Sequence, residues 1–354
     1  MSRRRPAASP TAARIDLASS LDELREDWVR LAYESRNLFS TWEWASTWWR
    51  HYGAAHDSLV ASSREGQDVV ALLPLYLWSR RPVRIARFIG HGPADQLGPI
   101  SAPGADAAAA ETLWQTIEHA ALDLVLMELL AGRESWKELL RQEPLLRESS
   151  PTISLGAGWE AYLAGRSANL RQQIRRRGRQ LDRRHAVRFR MATEPHRLQE
   201  DLTLLYALHR ARWGDRSAFS RFEDFHRDFA AVALERGWLR LWFLELDERP
   251  AAALYGFRFA GVESYYQAGR DPAFHNESVG FVLLAHSIRQ AAEDGVVEYR
   301  LLRGAEPFKL RFADADPGVE TFAPARGVAG RAARTAAAVG LHSATVRSAL
   351  RRLG

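Results

Sequence analysis

The sequence predicts an α/β protein of the α+β kind, with two units in which a mixed central sheet is flanked by helices. Three observations predict it. Segments with apolar residues at helical spacing alternate with short runs of strand length. Three such runs, 239–246, 251–259 and 263–269, follow one another across Asp247-Glu248-Arg249-Pro250 and Ala260-Gly261, which reads as an antiparallel meander. Glu148-Ser149-Ser150-Pro151 separates one helix and strand series from the next, and 354 residues suffice for two domains.

In chain order, residues 1–14 are expected to be a disordered terminus, because Arg3, Arg4 and Arg5 are followed by no apolar run or cleavage site of a secretion signal. The first unit, 15–150, opens with a helix over 21–34, where Leu21, Leu24, Trp28 and Leu31 share a face. A second helix follows over 43–52, then strands over 58–62, 69–78 and 84–89, a helix over 107–120 and an apolar strand over 124–130. In the second unit, 151–325, helices are expected over 159–184, 195–213 and 222–235, with a strand over 187–191. The meander comes next, then a helix over 279–293 stopped by Asp294-Gly295, and a strand over 297–302. The tail, 326–354, is basic and reads as disorder or a solvated helix using Val339, Leu341, Val346, Leu350 and Leu353. No internal repeat shows at the level of residues.

Composition narrows the function classes. No apolar stretch is long enough to span a membrane, so a soluble protein is expected, and the lack of cysteine fits a reducing compartment, so cytoplasm is the expected location. The absence of cysteine excludes disulfides, thiolate metal ligands and cysteine nucleophiles. Histidines are scattered, with no His-Glu-x-x-His, and neither a phosphate-binding Walker loop nor a Gly-x-Ser-x-Gly elbow occurs, so no metal is expected. The net charge of +6, carried mainly by arginine, favours anionic partners.

Arg303-Gly304-Ala305-Glu306-Pro307-Phe308-Lys309 places a glycine turn, a carboxylate and cations directly after an apolar strand. Glu306 there suits proton acceptance, Lys309 the stabilisation of oxyanion or phosphate charge, and Arg303 a bidentate grip on an anion; an ion pair fastening the turn is the alternative. Ser278, Val279 and Gly280 open a helix, whose free N–H groups suit a pyrophosphate; equally, Ser278 is an N-cap and Gly280 a packing residue. Strand alternation puts Glu263, Tyr265 and Gln267 on one face, and Ser264, Tyr266 and Ala268 on the other. His209 and Trp213, four apart, and Arg212 are candidates to line an acceptor cleft, unless the cations only complement a helix end. Asp95, between Gly92-Pro93 and Gly98-Pro99, is a loop carboxylate for substrate or a turn residue. Trp44, Trp48 and Tyr52 recur at helical spacing, as core or as a platform for a sugar ring. The arginine-rich helix 166–184 has Leu170, Ile174 and Leu181 for docking, and its cations suit phosphate, nucleic acid or anionic lipid, or form a solvated face.

Several strings carry a resemblance over most of the chain. Leu208-His209-Arg210-Ala211-Arg212-Trp213, Tyr266-Gln267-Ala268-Gly269-Arg270-Asp271-Pro272, Gly280 and 302–312 resemble the GNAT-like acetyltransferase domain of proteins associated with cellulose and exopolysaccharide biosynthesis. Leu38-Phe39-Ser40-Thr41-Trp42-Glu43-Trp44, Trp48-Trp49-Arg50-His51-Tyr52-Gly53 and Leu73-Pro74-Leu75-Tyr76 are similar to that family's N-terminal region. The pyrophosphate loop has one glycine and an acid, Asn276-Glu277-Ser278-Val279-Gly280, and Ala305 and Phe308 stand where many relatives carry Asp and Tyr. The family is related to the Fem-type aminoacyltransferases, so the resemblance implies tandem GNAT-like (acyl-CoA N-acyltransferase) domains. It also implies acetyl-CoA as acyl donor, Tyr266 as the acid for the leaving thiolate, and an amine or hydroxyl of a saccharide or envelope-polymer precursor as acceptor. The rivals are transfer from aminoacyl-tRNA, with tRNA on the arginine helix, and a non-catalytic scaffold; association with the inner membrane or a synthase complex fits each.

Overall fold

The computed structural model describes residues 14–18, 20–132, 134–214 and 217–342. The terminus 1–13 and the outer tail with Val346, Leu350 and Leu353 lie outside the described residues. Arg14, expected in the frayed terminus, instead opens strand β1 (Arg14–Ala18). Helices α1 (Arg25–Ser35) and α2 (Trp42–Tyr52) follow, the second started by Thr41, whose Oγ1 accepts the N–H of Trp44 at 3.2 Å. Strands β2 (Asp57–Glu65), β3 (Asp68–Ser79), β4 (Ile85–Phe88) and the short β5 (Ile100–Ser101) precede α3 (Asp106–His119). The first series ends with β6 (Leu124–Ala131), α4 (Glu134–Leu140) and β7 (Leu146–Glu148).

The second series starts with β8 (Thr152–Ser154), α5 (Trp159–Ala164) and α6 (Ala168–Arg184). The single helix expected over 159–184 is therefore two: the Ser167 hydroxyl accepts the N–H of Leu170 at 3.2 Å and restarts the helix after Gly165. Next come β9 (Val187–Met191), α7 (Leu198–Trp213), the one-turn α8 (Ala218–Arg221) and α9 (Glu223–Glu235). The meander is β10 (Leu239–Leu246), β11 (Arg249–Phe259) and β12 (Val262–Arg270). Helix α10 (Val279–Glu293) and β13 (Glu298–Arg300), shorter than the expected strand, lead to α11 (Pro307–Phe312), β14 (Val319–Phe322) and α12 (Gly327–His342).

Two mixed sheets result. The first runs β1-β2-β3-β4-β6-β14-β7 with β5 beside β3; the second runs β8-β13-β12-β11-β10-β9. Each contains one parallel pair closed by a helical crossover, β4–α3–β6 in the first and β12–α10–β13 in the second. Strand, two main helices, three antiparallel strands, helix and parallel strand thus recur in the same order, a tandem architecture with helices against both sheets. Strand β14 lies within the stretch expected in the second unit, yet pairs with β6 and β7 of the first sheet.

The units share a core. Trp44 is fully buried with its ring centroid 4.9 Å from Phe225 and 4.6 Å from Phe229, so α2 docks on α9. Trp48 is buried as well, its indole N–H donating to the His91 carbonyl at 2.7 Å. The sugar-platform alternative for these rings is thereby corrected: Trp44 and Tyr52 pack against second-unit rings, and Trp48 packs against Tyr76 within the first unit. A second apolar cluster lies where α5, α6 and α10 cover β10–β13.

Candidate active site

Strand β13 pairs with β12 in parallel only at Val262–Ser264, so beyond Ser264 the two diverge. The side of β12 turned to β13 is then open toward its C-terminal end. Two elements stand beyond the C-terminal ends of this pair: the start of α10, which follows β12, and the turn 303–309, which follows β13. Such a parting at the carboxyl ends of parallel strands is where α/β folds admit ligands.

The register between β11 and β12 slips between Tyr255 and Gly256, from Tyr255↔Gln267 to Gly256↔Tyr265, which makes Tyr266 the extra residue of a β-bulge. The bulge breaks the expected alternation. Tyr266 turns into the core shared by the two units, while Tyr265 and Ala268 pack in the second cluster. The Tyr266 hydroxyl donates to the Pro93 carbonyl at 2.5 Å and lies 3.2 Å from His226 Nε2. With the phenol proton spent on Pro93, His226 must donate through Nε2–H, which leaves its buried Nδ1 without a partner. Burial holds the Tyr266 phenol well above its ordinary pKa. It is fastened between the units, whereas Tyr265 faces the parting, its ring 6.1 Å from Phe308 and 5.8 Å from the Lys309 ammonium. Burial also raises the pKa of Tyr265, opposed by Arg212 through charge and a hydrogen bond.

Lys309 is 4% exposed, and its Nζ donates to the Arg303 carbonyl at 2.7 Å and lies 3.1 Å from Glu306 Oε2. Gly304 lets this happen: its φ is +126° and a Cβ there would stand 2.3 Å from Glu306 Oε2. Glu306 itself is half-exposed at the start of α11. The Arg303 side chain leaves this turn. Its Nε lies 3.5 Å from Asp95 Oδ1 and its Nη1 3.9 Å from Glu148 Oε2, both in the first unit. The expected grip of Arg303 on a donor phosphate is therefore corrected, because two carboxylates already flank its guanidinium. Burial pushes the Asp95 carboxyl up, against the pull of Arg303 and Lys309.

At the start of α10, Ser278 adopts a left-handed conformation with φ +57° and makes no side-chain cap, so the N-cap reading is corrected. A Cβ at Gly280 would meet nothing within 4 Å, so packing does not demand glycine there. The acid of this loop, Glu277, is held by Arg184 at 3.1 Å. Arg177 and Arg311 lie over the Phe281 ring at 4.5 and 5.7 Å and add positive charge beside the helix start. The first N–H groups of α10, at Val279 and Gly280, could hold an anionic group here.

The acceptor-cleft residues separate. His209 is buried against Phe219, while Trp213 is half-exposed and donates its indole N–H to the Ala268 carbonyl at 3.2 Å; Arg212 stacks over Trp213 at 4.4 Å. The pairing of His209 with Trp213 in one cleft is thus corrected: α7 crosses β12 so closely that residue 209 points inward. Just before α6, Arg166 pairs with Asp314, and on α6 Arg184 pairs with Glu277, while Arg175, Arg176, Arg177, Arg179 and Arg183 have no carboxylate partner among the described residues.

Sequence reasoning passed over Arg87, His91, Glu128 and Glu148. Arg87 donates to Glu128 Oε2 through Nε at 3.0 Å and through Nη2, and the Tyr76 hydroxyl lies 3.0 Å from His91 Nδ1. A carboxylate inside the apolar run 124–130 was the available signal. Burial lowers the pKa of His91 and of His226 to about 3 and that of His209 to about 4. Histidine in the unfolded chain titrates near about 6.5, so between about pH 6.5 and about pH 4 the unfolded state binds protons that the folded state refuses. Stability must fall as pH drops through that window, by up to about 1.4 kcal/mol per pH unit for each fully buried ring. Melting curves across the window check this; His226→Gln should flatten the slope, and a pH-independent melting temperature would contradict the neutral burial.

Among the described residues no group of three or more His, Asp or Glu could hold a metal ion, and no helix is long and apolar enough to cross a membrane. Residues 168–310 match the family model of the acetyltransferase (GNAT) domain. A crystal structure of FemX is similar over 85% of this chain and 94% of its own, at 9% identity and a TM-score of 0.61. The C-terminal domain of a putative lysylphosphatidylglycerol synthetase from Agrobacterium fabrum is similar over 90% of this chain and 97% of its own, at 14% identity and TM-score 0.57. A tandem GNAT protein from the clavulanic acid biosynthesis pathway is similar over 89% and 99%, at 12% identity and TM-score 0.50. No curated protein matches significantly in sequence. The fold is a tandem GNAT arrangement of two mixed α/β units.

Proposed function

We propose that the protein transfers an acyl group, acetyl from acetyl-CoA, to an amine or hydroxyl acceptor in the parting between β12 and β13. The observation that carries this reading is the open edge of β12, with the uncapped start of α10 and the Lys309–Glu306 turn both beyond the strand ends. Val279 and Gly280 hold the donor phosphates. The edge of β12 left unpaired by β13 beyond Ser264, together with Lys309, stabilises the oxygen of the thioester carbonyl as it gains charge. The acceptor nitrogen or oxygen forms the new bond to the carbonyl carbon, the C–S bond breaks, and the acceptor's proton ends on the thiolate sulfur. Glu306, half-exposed, takes that proton from the acceptor, and Tyr265 is better placed than Tyr266 to return it. A saccharide or envelope-polymer precursor as acceptor rests on the resemblance in sequence alone.

Acetyl-CoA at about 100 times its Kd should stabilise the fold by about 2.7 kcal/mol, read as a rise in melting temperature. Absence of any rise with acetyl-CoA and with free CoA would sink the proposal. The unpaired arginines of α6 favour a second reading, transfer from an aminoacyl-tRNA. Its mark is tRNA affinity that falls steeply with salt. Replacing Arg175, Arg176 and Arg177 with glutamine tests it, since the slope should shrink by about 0.9 for each phosphate left without its arginine. Salt-independent affinity, or none, rejects it.

A further inference from the structure

The inner part of the basic tail, expected as disorder or a solvated helix, is the helix α12, which packs on β6 and β7 of the first sheet. Gly330, Ala337 and Leu341 form its inner face. A Cβ on Gly330 would stand 2.1 Å from the Asp123 carbonyl oxygen, so the helix lies almost in touch with the start of β6. Ala337 and Leu341 wall a cavity of about 240 Å³ together with Trp78, Leu126 and Phe222. Val339 stands two places before Leu341, which at roughly 100° per residue is the other side of the helix, and it is 65% exposed. The expected common apolar stripe of Val339 and Leu341 is thereby corrected.

A helix packed on a core ordinarily turns charged and polar side chains to water. The outer face of α12 does not. Val328, 77% exposed, Ala332, Thr335 and Val339 follow one another along it by four, three and four places, with Ala329 and Ala336 exposed beside them. No carboxylate occurs from Arg326 to the end of the sequence. The cations of the helix, Arg331 and Arg334, lie along one border of this stripe and have no carboxylate partner among the described residues, whereas Arg326, just before the helix, pairs with Glu118 at 3.6 Å. Beyond His342 the sequence keeps the same period: Val346, Leu350 and Leu353 stand seven, eleven and fourteen places after Val339, each close to a whole number of helical turns, with Arg347, Arg351 and Arg352 among them.

An apolar stripe bordered by cations alone calls for a partner that is apolar and negative at once. A second copy of α12 supplies the first and not the second, because it brings Arg331 and Arg334 against their own like. The surface of an anionic bilayer supplies both, with acyl chains for the valines and phosphates for the guanidiniums. We propose that α12 is a docking surface for an anionic lipid bilayer, lying in the plane of the membrane with Val328 and Val339 turned to the acyl region and Arg331 and Arg334 at the level of the phosphates. A helix of sixteen residues that carries two arginines rests on a bilayer and does not cross it. The parting between β12 and β13 lies in the other sheet, so this surface rests on no part of the acyl-transfer reading.

The test is flotation of the full chain with vesicles of phosphatidylcholine alone and of phosphatidylcholine and phosphatidylglycerol in equal parts. The chain should bind the anionic vesicles at least about tenfold more tightly than the neutral ones, and the difference should shrink as salt is raised. Val328→Gln together with Val339→Gln should weaken binding to the anionic vesicles by about tenfold or more, while the melting temperature stays within a few degrees because both side chains are exposed in the free chain. Arg331→Gln together with Arg334→Gln should weaken it by a similar factor, about tenfold or more. No binding, or equal binding to both kinds of vesicle, overturns the proposal. Full affinity in the valine pair overturns it as well, since the contact then lies on another basic surface. Sedimentation of the free chain covers the remaining occupant: pairing that depends on concentration and is lost in the valine pair, without binding to vesicles, assigns the face to a second copy and rejects the bilayer.

Discussion

Lys309→Met is expected to lower the turnover of acyl transfer by about 100-fold to 1,000-fold while acetyl-CoA binds within about twofold of its original affinity. The substitution keeps an apolar stem of similar length and removes only the ammonium, which is buried and placed between the Arg303 carbonyl, Glu306 and the Tyr265 ring. Loss of one preorganised donor at a developing oxyanion corresponds to about 2.7–4 kcal/mol in the transition state. In the proposed reading the donor phosphates rest on α10, whereas the Lys309 ammonium meets the Arg303 carbonyl, Glu306 and the Tyr265 ring, so affinity for the donor should be spared. Stability should drop by about 1–3 kcal/mol, since the Arg303 carbonyl loses its partner. Thiol release followed in the steady state reads the first effect and thermal melting the second. Unchanged turnover with a lowered melting temperature would make Lys309 a fastener of its turn and nothing more.

Gly269→Ala should have a large effect on stability. A Cβ at this position would lie 2.3 Å from the main-chain nitrogen of His209 and 2.4 Å from the carbonyl carbon of Leu208, so α7 would have to lift from β12. Both partners are main chain inside regular elements, and neither can turn aside as a side chain does. About 3 kcal/mol, the upper end of ordinary overpacking, is expected, and the melting temperature should fall by roughly 5 °C or more. Gly280→Ala is the contrast: its Cβ enters open space, so stability should hold while donor affinity falls because the methyl group occupies the cradle. If both variants melt like the parent, the close crossing of α7 over β12 is not as tight as the structure has it.

The elements with strong periodicity were legible in the sequence. The meander, α7, α9 and α10 lie where apolar spacing puts them, because the apolar residues of each recur at the period of its own element. The weak strands were not legible: β7, β8 and β14 span three or four residues each and exist only through pairing with distant partners. Within the candidate site, the turn from Arg303 to Lys309 stood out by its density of charge. Which tyrosine faces the parting did not, because alternation holds only while register holds, and the bulge at Tyr266 shifts it.

The sequence by itself determined the two α/β series, the absence of cysteine chemistry and the charged turn after β13, since all three are properties of neighbouring residues. Only the tertiary structure decided that both series share one order of elements, that β14 returns to the first sheet, and that Arg303 answers to Asp95 and Glu148. The physical reason is that strand pairing and ion pairing are made across space. A lone arginine carries no mark of its counter-ion until folding brings the two loops together.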